Sequence, residues 1–304
     1  MALLNYEQKV SKFDIQYGIE LEYTGMTRFN SAKNLSDFYG CSFIHTNEHG
    51  LDTYKLTNGY KIVSDSSVSA HPESNELVTP VLSLNDMDKL LKALDMLKSK
   101  GAYADDSCGL HVHVSNEHMY EVATIKKLLQ HDFTRYDMIY LATRGFKRWS
   151  QPQEETFVRT VSKMYSRSAI RNYWYEYYGD TDTNDHYNST RYHGLNLHSM
   201  YQGKGIEFRY FAGTFDLKKV KAYIDLSIGM LMDAINSQKM RQYLYVDRPY
   251  NKVYDRNNRS PYRSIADCTY IPDRILYKYA TLWSEYLDRM QIPYDSKKVL
   301  LENF

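Results

Sequence analysis

The sequence predicts an α+β fold in which helices pack against an antiparallel sheet. Two kinds of segment predict it. Short runs alternate apolar with polar side chains, as expected for strands with one buried and one solvated face. Longer segments repeat apolar residues at helical spacing, and no internal repeat suggests a solenoid or an array.

The clearest helix follows a capping box at Ser83–Asp86 and ends at Gly101, with leucines at helical spacing between them. Further helices are predicted at 117–131, 135–144, 216–235 and 275–290. Strands are predicted at 15–23, 60–63, 75–79, 110–115, 194–198 and 205–211. The polar, acidic segment 176–190 is predicted to be a loop.

The domain organisation is predicted to be a core of residues 14–236 followed by an appendage. Residues 237–304 are rich in Tyr and Arg and are interrupted by four prolines. We expect this segment to be helical and to pack on the core.

Composition excludes several classes of protein. The chain has 304 residues, 43% of them hydrophobic, and a formal net charge of +1. These values are typical of a globular protein rather than of a disordered chain or a globally basic nucleic-acid binder. No run of 18 apolar residues predicts a membrane span, and the first residues do not look like a secretory signal. Three cysteines without CxxC spacing fit a reducing cytoplasm.

Three strands place chemically reactive residue pairs on one face. In each strand two polar residues alternate with apolar ones. The pairs are Glu20 and Glu22, His111 and His113, and Glu207 and Arg209. Members of each pair lie on the same side of their strand, roughly 7 Å apart. Any single pair is equally explained by a solvated sheet face, but three pairs rich in metal-ligand side chains favour a site.

A fourth carboxylate, Glu76, lies on another predicted strand. Four carboxylates on one surface repel each other and raise their own pKa values unless cations lie among them. Oxygen ligands with an imidazole suit Mg²⁺ or Mn²⁺. Arg191 and Arg209 would make the same cleft attractive to polyphosphate. The pattern therefore predicts a metal–nucleotide site.

These motifs, in this order, resemble the amidoligase family, part of the glutamine synthetase/glutamate–cysteine ligase superfamily of carboxylate–amine ligases. The resemblance covers residues 18–214. The matching stretches are Gly18-Ile-Glu-Leu-Glu22, Asp65-Ser-Ser-Val68, Glu76-Leu-Val-Thr-Pro80, Gly109-Leu-His-Val-His-Val-Ser115, Arg191-Tyr-His-Gly-Leu-Asn196, Ile206-Glu-Phe-Arg209 and Gly213-Thr214.

The resemblance implies a glutamine synthetase-like domain, with a curved antiparallel sheet whose concave face binds ATP and divalent cations and whose convex face carries the helices. It implies roles for eleven residues. Glu20, Glu22, Glu76, Glu207 and His111 would bind metal, and His111 could instead contact phosphate. Arg191 and Arg209 would hold the transferred phosphoryl group. His113, Asp65 and Ser67 would contact the substrates, and Asn196 would line the cleft or stabilise a strand end.

Two positions depart from the family's usual pattern. Ser66 and Asn75 stand where glycine is common, which affects loop geometry more than chemistry. The implied reaction has two steps. ATP phosphorylates a substrate carboxylate, and an amine then displaces phosphate to form an amide. The acid and the amine, each a small molecule or a peptide group, and the oligomeric state are not predicted.

Three alternatives stay open at this point. The HxH pair with carboxylates could build a metal-dependent hydrolase, for which His45, His49, His71 and His186 are the remaining candidate ligands. A phosphotransferase that makes a phosphoguanidine could use the same fold. The basic, aromatic stretch 135–171 could bind nucleic acid, although a solvated helical face explains it as well.

Overall fold

The computed structural model describes residues 4–48, 50–68, 73–143, 150–185, 188–236 and 273–304, without the side chain of Ile275. Within them, one open sheet of eight strands packs against helices. Every pair of neighbouring strands is antiparallel. The predicted α+β class is confirmed, whereas the glutamine synthetase-like fold stays a prediction.

The strands run in the order β2-β3-β4-β5-β1-β6-β8-β7 across the sheet. Their bounds are β1 Gln16–Tyr23, β2 Phe43–Glu48, β3 Leu51–Leu56, β4 Lys61–Val63, β5 Asn75–Val78, β6 Gly109–Ser115, β7 Leu195–Asn196 and β8 Ile206–Ala212. The three strands that carry the polar pairs, β1, β6 and β8, are therefore neighbours in the sheet.

The helices are α1 Tyr6–Lys12, α2 Arg28–Tyr39, α3 Met87–Ser99, α4 Val122–Thr143, α5 Glu155–Ser162, α6 Arg167–Tyr177, α7 Leu197–Tyr201, α8 Leu217–Asn236, α9 Asp273–Arg289 and α10 Tyr294–Leu301. The predicted capping box forms ahead of α3, where the Ser83 N–H donates to the Asp86 carboxylate (2.8 Å). The box encloses one turn of 3₁₀ helix, Leu84–Asp86, which leads directly into α3.

The core lies between the sheet and the helices. In β1, Ile19, Leu21 and Tyr23 are almost completely buried, while Glu20 on the other face keeps a quarter of its side chain exposed. The longest central helices, α4 and α8, contact β8 and β6 on the apolar face. Apolar burial thus fixes which face of β1 turns away from the helices, and the glutamates occupy that face.

Two predictions of secondary structure were wrong, and several elements were not predicted. The helices at 117–131 and 135–144 form one 3₁₀ turn and the continuous helix α4, because no residue between Val122 and Thr143 breaks the helix. The strand at 194–198 ends at Asn196, whose side chain caps α7. The hairpin of β2 and β3 was missed because its polar, partly exposed residues show no clear alternation.

The described C-terminal helices pack on the core. Trp283 and Leu287 of α9 and Leu300 of α10 are completely buried, and α10 lies along α8. The rest of the predicted appendage, 237–272, lies outside the described residues. The division of the chain at residue 237 stays a prediction.

Candidate active site

A cavity of about 440 Å³ opens on the face of the sheet opposite α4 and α8. All eleven residues predicted from sequence line it: Glu20, Glu22, Asp65, Ser67, Glu76, His111, His113, Arg191, Asn196, Glu207 and Arg209. The structure brings these residues together, and the roles assigned to them stay predictions.

The register of the sheet explains why the site residues meet. Glu20 pairs with His111 across β1 and β6, and Glu22 pairs with Glu76 across β1 and β5. His113 pairs with Glu207 on β8. Side chains directly opposite on neighbouring strands have Cβ atoms about 5 Å apart. The floor of the cavity is therefore built from four strands, β1, β5, β6 and β8, by backbone pairing.

The two histidines share one carboxylate neighbour, Glu20. His111 Nδ1 lies 3.4 Å from Glu20 Oε2 and 3.5 Å from Glu207 Oε1. His113 Nε2 lies 3.2 Å from Glu20 Oε1. Glu20 thus stands between the two imidazoles, on a strand that neither histidine belongs to.

Three overlapping sets of side chains could each hold a divalent cation. In each set the potential ligand atoms lie within 4.8 Å of one another. The sets are Glu22 with Asp65 and Glu76, Glu20 with Glu76 and His111, and Glu20 with His113 and Glu207. Because neighbouring sets share Glu76 or Glu20, the three positions follow one another along the cavity floor.

The carboxylates at one end of the floor carry unbalanced charge. Burial, together with the charges of Glu20, Asp65 and Glu22, raises the pKa of Glu76 well above its usual range. Burial and the Asp65 charge also raise the pKa of Glu22. A cation bound beside Glu76 and Glu22 would favour their ionised forms.

At the other end, positive groups balance the carboxylates. Burial opposes ionisation of Glu207, but the charges of Arg209 and His113 outweigh burial and lower its pKa to about 2. Burial is likewise outweighed at Glu20, whose pKa is held well below its usual range by His113 and His111. The metal-free site is thus compensated at the Glu207 end and repulsive at the Glu76 end.

Glu207 is fixed from two sides. An Arg209 guanidinium N–H donates to Glu207 Oε1 (2.5 Å), and Asn196 Nδ2 donates to Glu207 Oε2 (2.5 Å). The register of β6 and β8 shifts next to Arg209, between the pairs Leu110–Phe211 and Val112–Phe208. Such irregularities re-aim side chains next to functional sites.

Two glycines of the matching motifs leave room that the site needs. The Gly109 N–H donates to Glu22 Oε2 (2.5 Å), and a Cβ on Gly109 would lie 3.3 Å from both that oxygen and His111 Nε2. A Cβ on Gly194 would lie only 2.2 Å from the Tyr210 ring. Any side chain at either position would therefore press on the site or on its support.

The two departures from the family pattern have local explanations. Asp65 accepts hydrogen bonds from the Ser67 N–H and hydroxyl (2.7 and 2.6 Å), so the turn forms without a glycine at Ser66. Asn75 is buried and donates to the Met26 carbonyl (2.8 Å), which anchors the start of β5. The turn places Asp65 against Glu22 and Glu76, so Asp65, predicted as a substrate contact, also stands among potential metal ligands.

One wall of the cavity comes from residues 191–204 and contains side chains that the sequence analysis missed. They are Tyr192, His198, Ser199, Gln202 and Lys204. Arg191 ends a 3₁₀ turn in this wall and stacks on Tyr192. His198 was assigned to the predicted strand 194–198, and Ser199 follows its end. The turn around Lys204 carried no motif, although its flanking glycines at positive φ mark a fixed turn.

The structure adds little to the alternatives left open by the sequence. His45 lies on β2 with most of its side chain exposed and pairs with Asp52 outside the cavity. His49, His71 and His186 lie outside the described residues. The hydrolase alternative therefore gains no ligand from His45.

The basic and aromatic side chains of the stretch 135–171 differ in exposure and contacts in the part that is described. Phe157 is completely buried, and Arg135 stacks on Tyr286 of α9. Arg159 pairs with Glu155, and Tyr165 is exposed. Residues 144–149, which include three of the basic side chains and Trp149, lie outside the described residues.

Comparison with models of known protein families identifies a match. The model of a family described as "putative amidoligase enzyme" matches residues 14–231. No curated protein matches the chain. Among the described helices, none combines the length and apolar character needed to cross a bilayer.

Proposed function

This chain belongs to the amidoligase family, and we propose that it is an ATP-dependent carboxylate–amine ligase that works through an acyl phosphate. Family membership supports a ligase-type enzyme. The use of ATP and divalent cations, the intermediate and the substrate classes are our proposal, argued from the cavity.

The observation that carries the proposal is the row of three overlapping ligand sets on the cavity floor. Their donors are carboxylate oxygens with one imidazole in two of the sets, which suits Mg²⁺ or Mn²⁺. The raised pKa values of Glu22 and Glu76 support the fit, because these groups lack a positive partner strong enough to offset burial. Cations bound there would supply charge neutralisation for a triphosphate.

The arginines contribute in different ways. Arg209 is buried and bonded to Glu207, so its guanidinium is held in place before any ligand arrives. Arg191 lies on the wall and is partly exposed. A fixed positive charge beside a transferring phosphoryl group stabilises the transition state without reorganisation. We assign that role to Arg209 and the approach and orientation of the phosphate to Arg191.

The reaction then needs little covalent participation by the protein. The substrate carboxylate attacks the γ-phosphorus, the bond to the bridging oxygen breaks, and ADP leaves. An amine next attacks the acyl carbon, phosphate leaves with one carboxylate oxygen, and the amine loses a proton. Catalysis of this kind depends on positioning and on electrostatic stabilisation.

The first test of the proposal is binding of Mg·ATP. We expect Mg²⁺ and ATP together to raise the unfolding temperature, since a ligand at 100 times its Kd stabilises by about 2.7 kcal/mol. Glu20→Gln should lose this effect, because Glu20 belongs to two of the ligand sets. Glu117→Gln, at an exposed site, is the control. No stabilisation of the wild type would contradict the proposal.

The second test is a product screen. Pooled carboxylates and amines are incubated with the enzyme, ATP and Mg²⁺, and mass spectrometry searches for products lighter than their parents by one water. We expect ADP to form only when both an acid and an amine of the productive pair are present. ADP formation that needs an acceptor but gives a phosphorylated product would instead support the phosphotransferase alternative.

A further inference from the structure

A single turn of chain touches two of the three side chains in the ligand set of Glu20, His113 and Glu207. Asn196 donates to Glu207 Oε2 (2.5 Å), and Ser199 Oγ lies 3.2 Å from His113 Nδ1. Both residues belong to the segment that turns from β7 into α7. Ser199 and Asn196 are also buried, so their contacts form away from bulk water.

The turn depends on Asn196. Its Oδ1 accepts the His198 N–H (2.8 Å) and so begins α7, while its Nδ2 bonds Glu207. A strand continuing past Asn196, as the sequence predicted, would carry Ser199 along the sheet edge and away from β6. The helical turn instead brings the Ser199 hydroxyl to Nδ1 of His113.

The two nitrogens of His113 face different groups. Nε2 lies 3.2 Å from Glu20 Oε1, toward the carboxylates of the ligand set, and Nδ1 faces Ser199. An imidazole can bind a cation only through a nitrogen that carries no proton, and the proton then resides on the other nitrogen. Ligating histidines usually donate that second N–H to an oxygen.

Building on the proposed function, we propose that Ser199 is a positioning residue that makes His113 a metal ligand. Ser199 Oγ accepts the Nδ1–H of His113, which leaves Nε2 unprotonated toward a divalent cation shared with Glu20 and Glu207. Asn196 holds Glu207 for the same cation. This assignment replaces the substrate contact expected for His113 from sequence.

Binding of Mn²⁺ alone tests the proposal, with free Mn²⁺ measured by electron paramagnetic resonance. Ser199→Ala should weaken one class of Mn²⁺ site by about 10–100-fold, the usual effect of losing such a partner. Sites that include Glu22, Asp65 and Glu76 do not involve His113 and should keep their affinity. Ser227→Ala is the matched control, because Ser227 is a buried helical serine whose hydroxyl donates to the Tyr223 carbonyl, outside the three ligand sets.

The protonation of His113 gives a second readout that does not depend on activity. In ¹⁵N-histidine-labelled protein with Mg²⁺ bound, we expect His113 to carry its proton on Nδ1, and Ser199→Thr to preserve this state. A proton on Nε2 in the Mg²⁺-bound protein would overturn the proposal. Equal Mn²⁺ affinity in wild type and Ser199→Ala would also overturn it. The same holds if Ser199→Ala loses Mn²⁺ affinity uniformly at every site and unfolds at a lower temperature without metal.

These outcomes separate the inference from the proposed function. If the wild type binds no Mn²⁺ at all, the metal-dependent ligase itself fails. If the wild type binds Mn²⁺ and Mg·ATP but Ser199→Ala does so equally well, only the role of Ser199 fails.

Discussion

Glu22 and Glu76 are paired directly across β1 and β5, so two carboxylates face each other where a stable sheet would normally place opposite charges. Their pKa values are both raised by burial and by neighbouring carboxylates. A raised carboxyl pKa means that folding disfavours the ionised form. The metal-free protein should therefore lose stability as pH rises from about 4.5, the unfolded value, toward the folded pKa.

Glu76→Gln should remove this cost. At pH 7 without metal we expect the variant to be more stable than wild type, since each unit of relieved pKa elevation corresponds to about 1.4 kcal/mol. Chemical unfolding in EDTA measures the difference. With saturating Mg²⁺ the order should reverse, because the variant lacks a ligand. A metal-free variant less stable than wild type would show that Glu76 is a structural group.

Arg209→Ala should have the opposite effect on stability. The change leaves Glu207 buried, 6% exposed, without its guanidinium partner, and breaking a buried pair typically costs about 3–5 kcal/mol. The lowered pKa of Glu207, about 2, contributes stability that is present above the unfolded value of 4.5 and lost as pH falls toward 2. Unfolding at pH 7 and at pH 3 measures both effects.

The loss in Arg209→Ala should shrink as the pH is lowered, because wild type then also loses the stability that the pair provides. Added Mg²⁺ should restore part of the stability at pH 7, since a cation beside Glu207 replaces the missing charge. Equal losses at both pH values and no effect of Mg²⁺ would show that Arg209 stabilises the protein by packing alone.

His193 supports the wall that carries Arg191. It is buried between Trp174 and Tyr178, and its Nδ1 lies 2.9 Å from the Thr190 carbonyl. Burial lowers its pKa to about 4. Because the folded protein resists protonation of His193, stability should fall as pH decreases from about 6.5 to about 4, by about 3 kcal/mol in all from this residue.

His193→Asn keeps a side-chain donor near the Thr190 carbonyl but cannot titrate. The variant should be less stable than wild type at pH 8, because it fills less space, yet its stability should depend less on pH between 6.5 and 4. Unfolding free energies across that range test the prediction. Parallel pH profiles for the two proteins would show that other groups control acid unfolding.

The floor of the candidate site was predictable from sequence because strand periodicity is strict. Glu20, His111 and Glu207 each sit in a run of alternating apolar residues, so burial of the apolar face fixes the direction of the polar one. Their meeting in space depends on β1, β6 and β8 being neighbours. No sequence pattern predicts that order, and the family resemblance implied only that these side chains share one face of a sheet.

The wall was not predictable in the same way. Leu195–His198 alternates like a strand, but the Asn196 side chain bonds Glu207 and accepts the His198 N–H where the chain turns into α7. The bond to Glu207 needs a partner on another strand, and the bond from the His198 N–H forms only once the chain has turned into α7. Neither is evident from the local sequence pattern. The same limit applies to Asp65, whose position among potential metal ligands depends on how β4 and β5 pair.

The central claim is the acyl phosphate, and transfer of heavy oxygen tests it most directly. The acid found in the product screen is labelled with ¹⁸O in its carboxylate and incubated with ATP, divalent metal and the amine. If the carboxylate is phosphorylated, one labelled oxygen must leave with phosphate when the amine attacks. We predict one ¹⁸O in each phosphate released with product, and no labelled phosphate when the amine or ATP is omitted. Amide formed together with unlabelled phosphate would contradict the account.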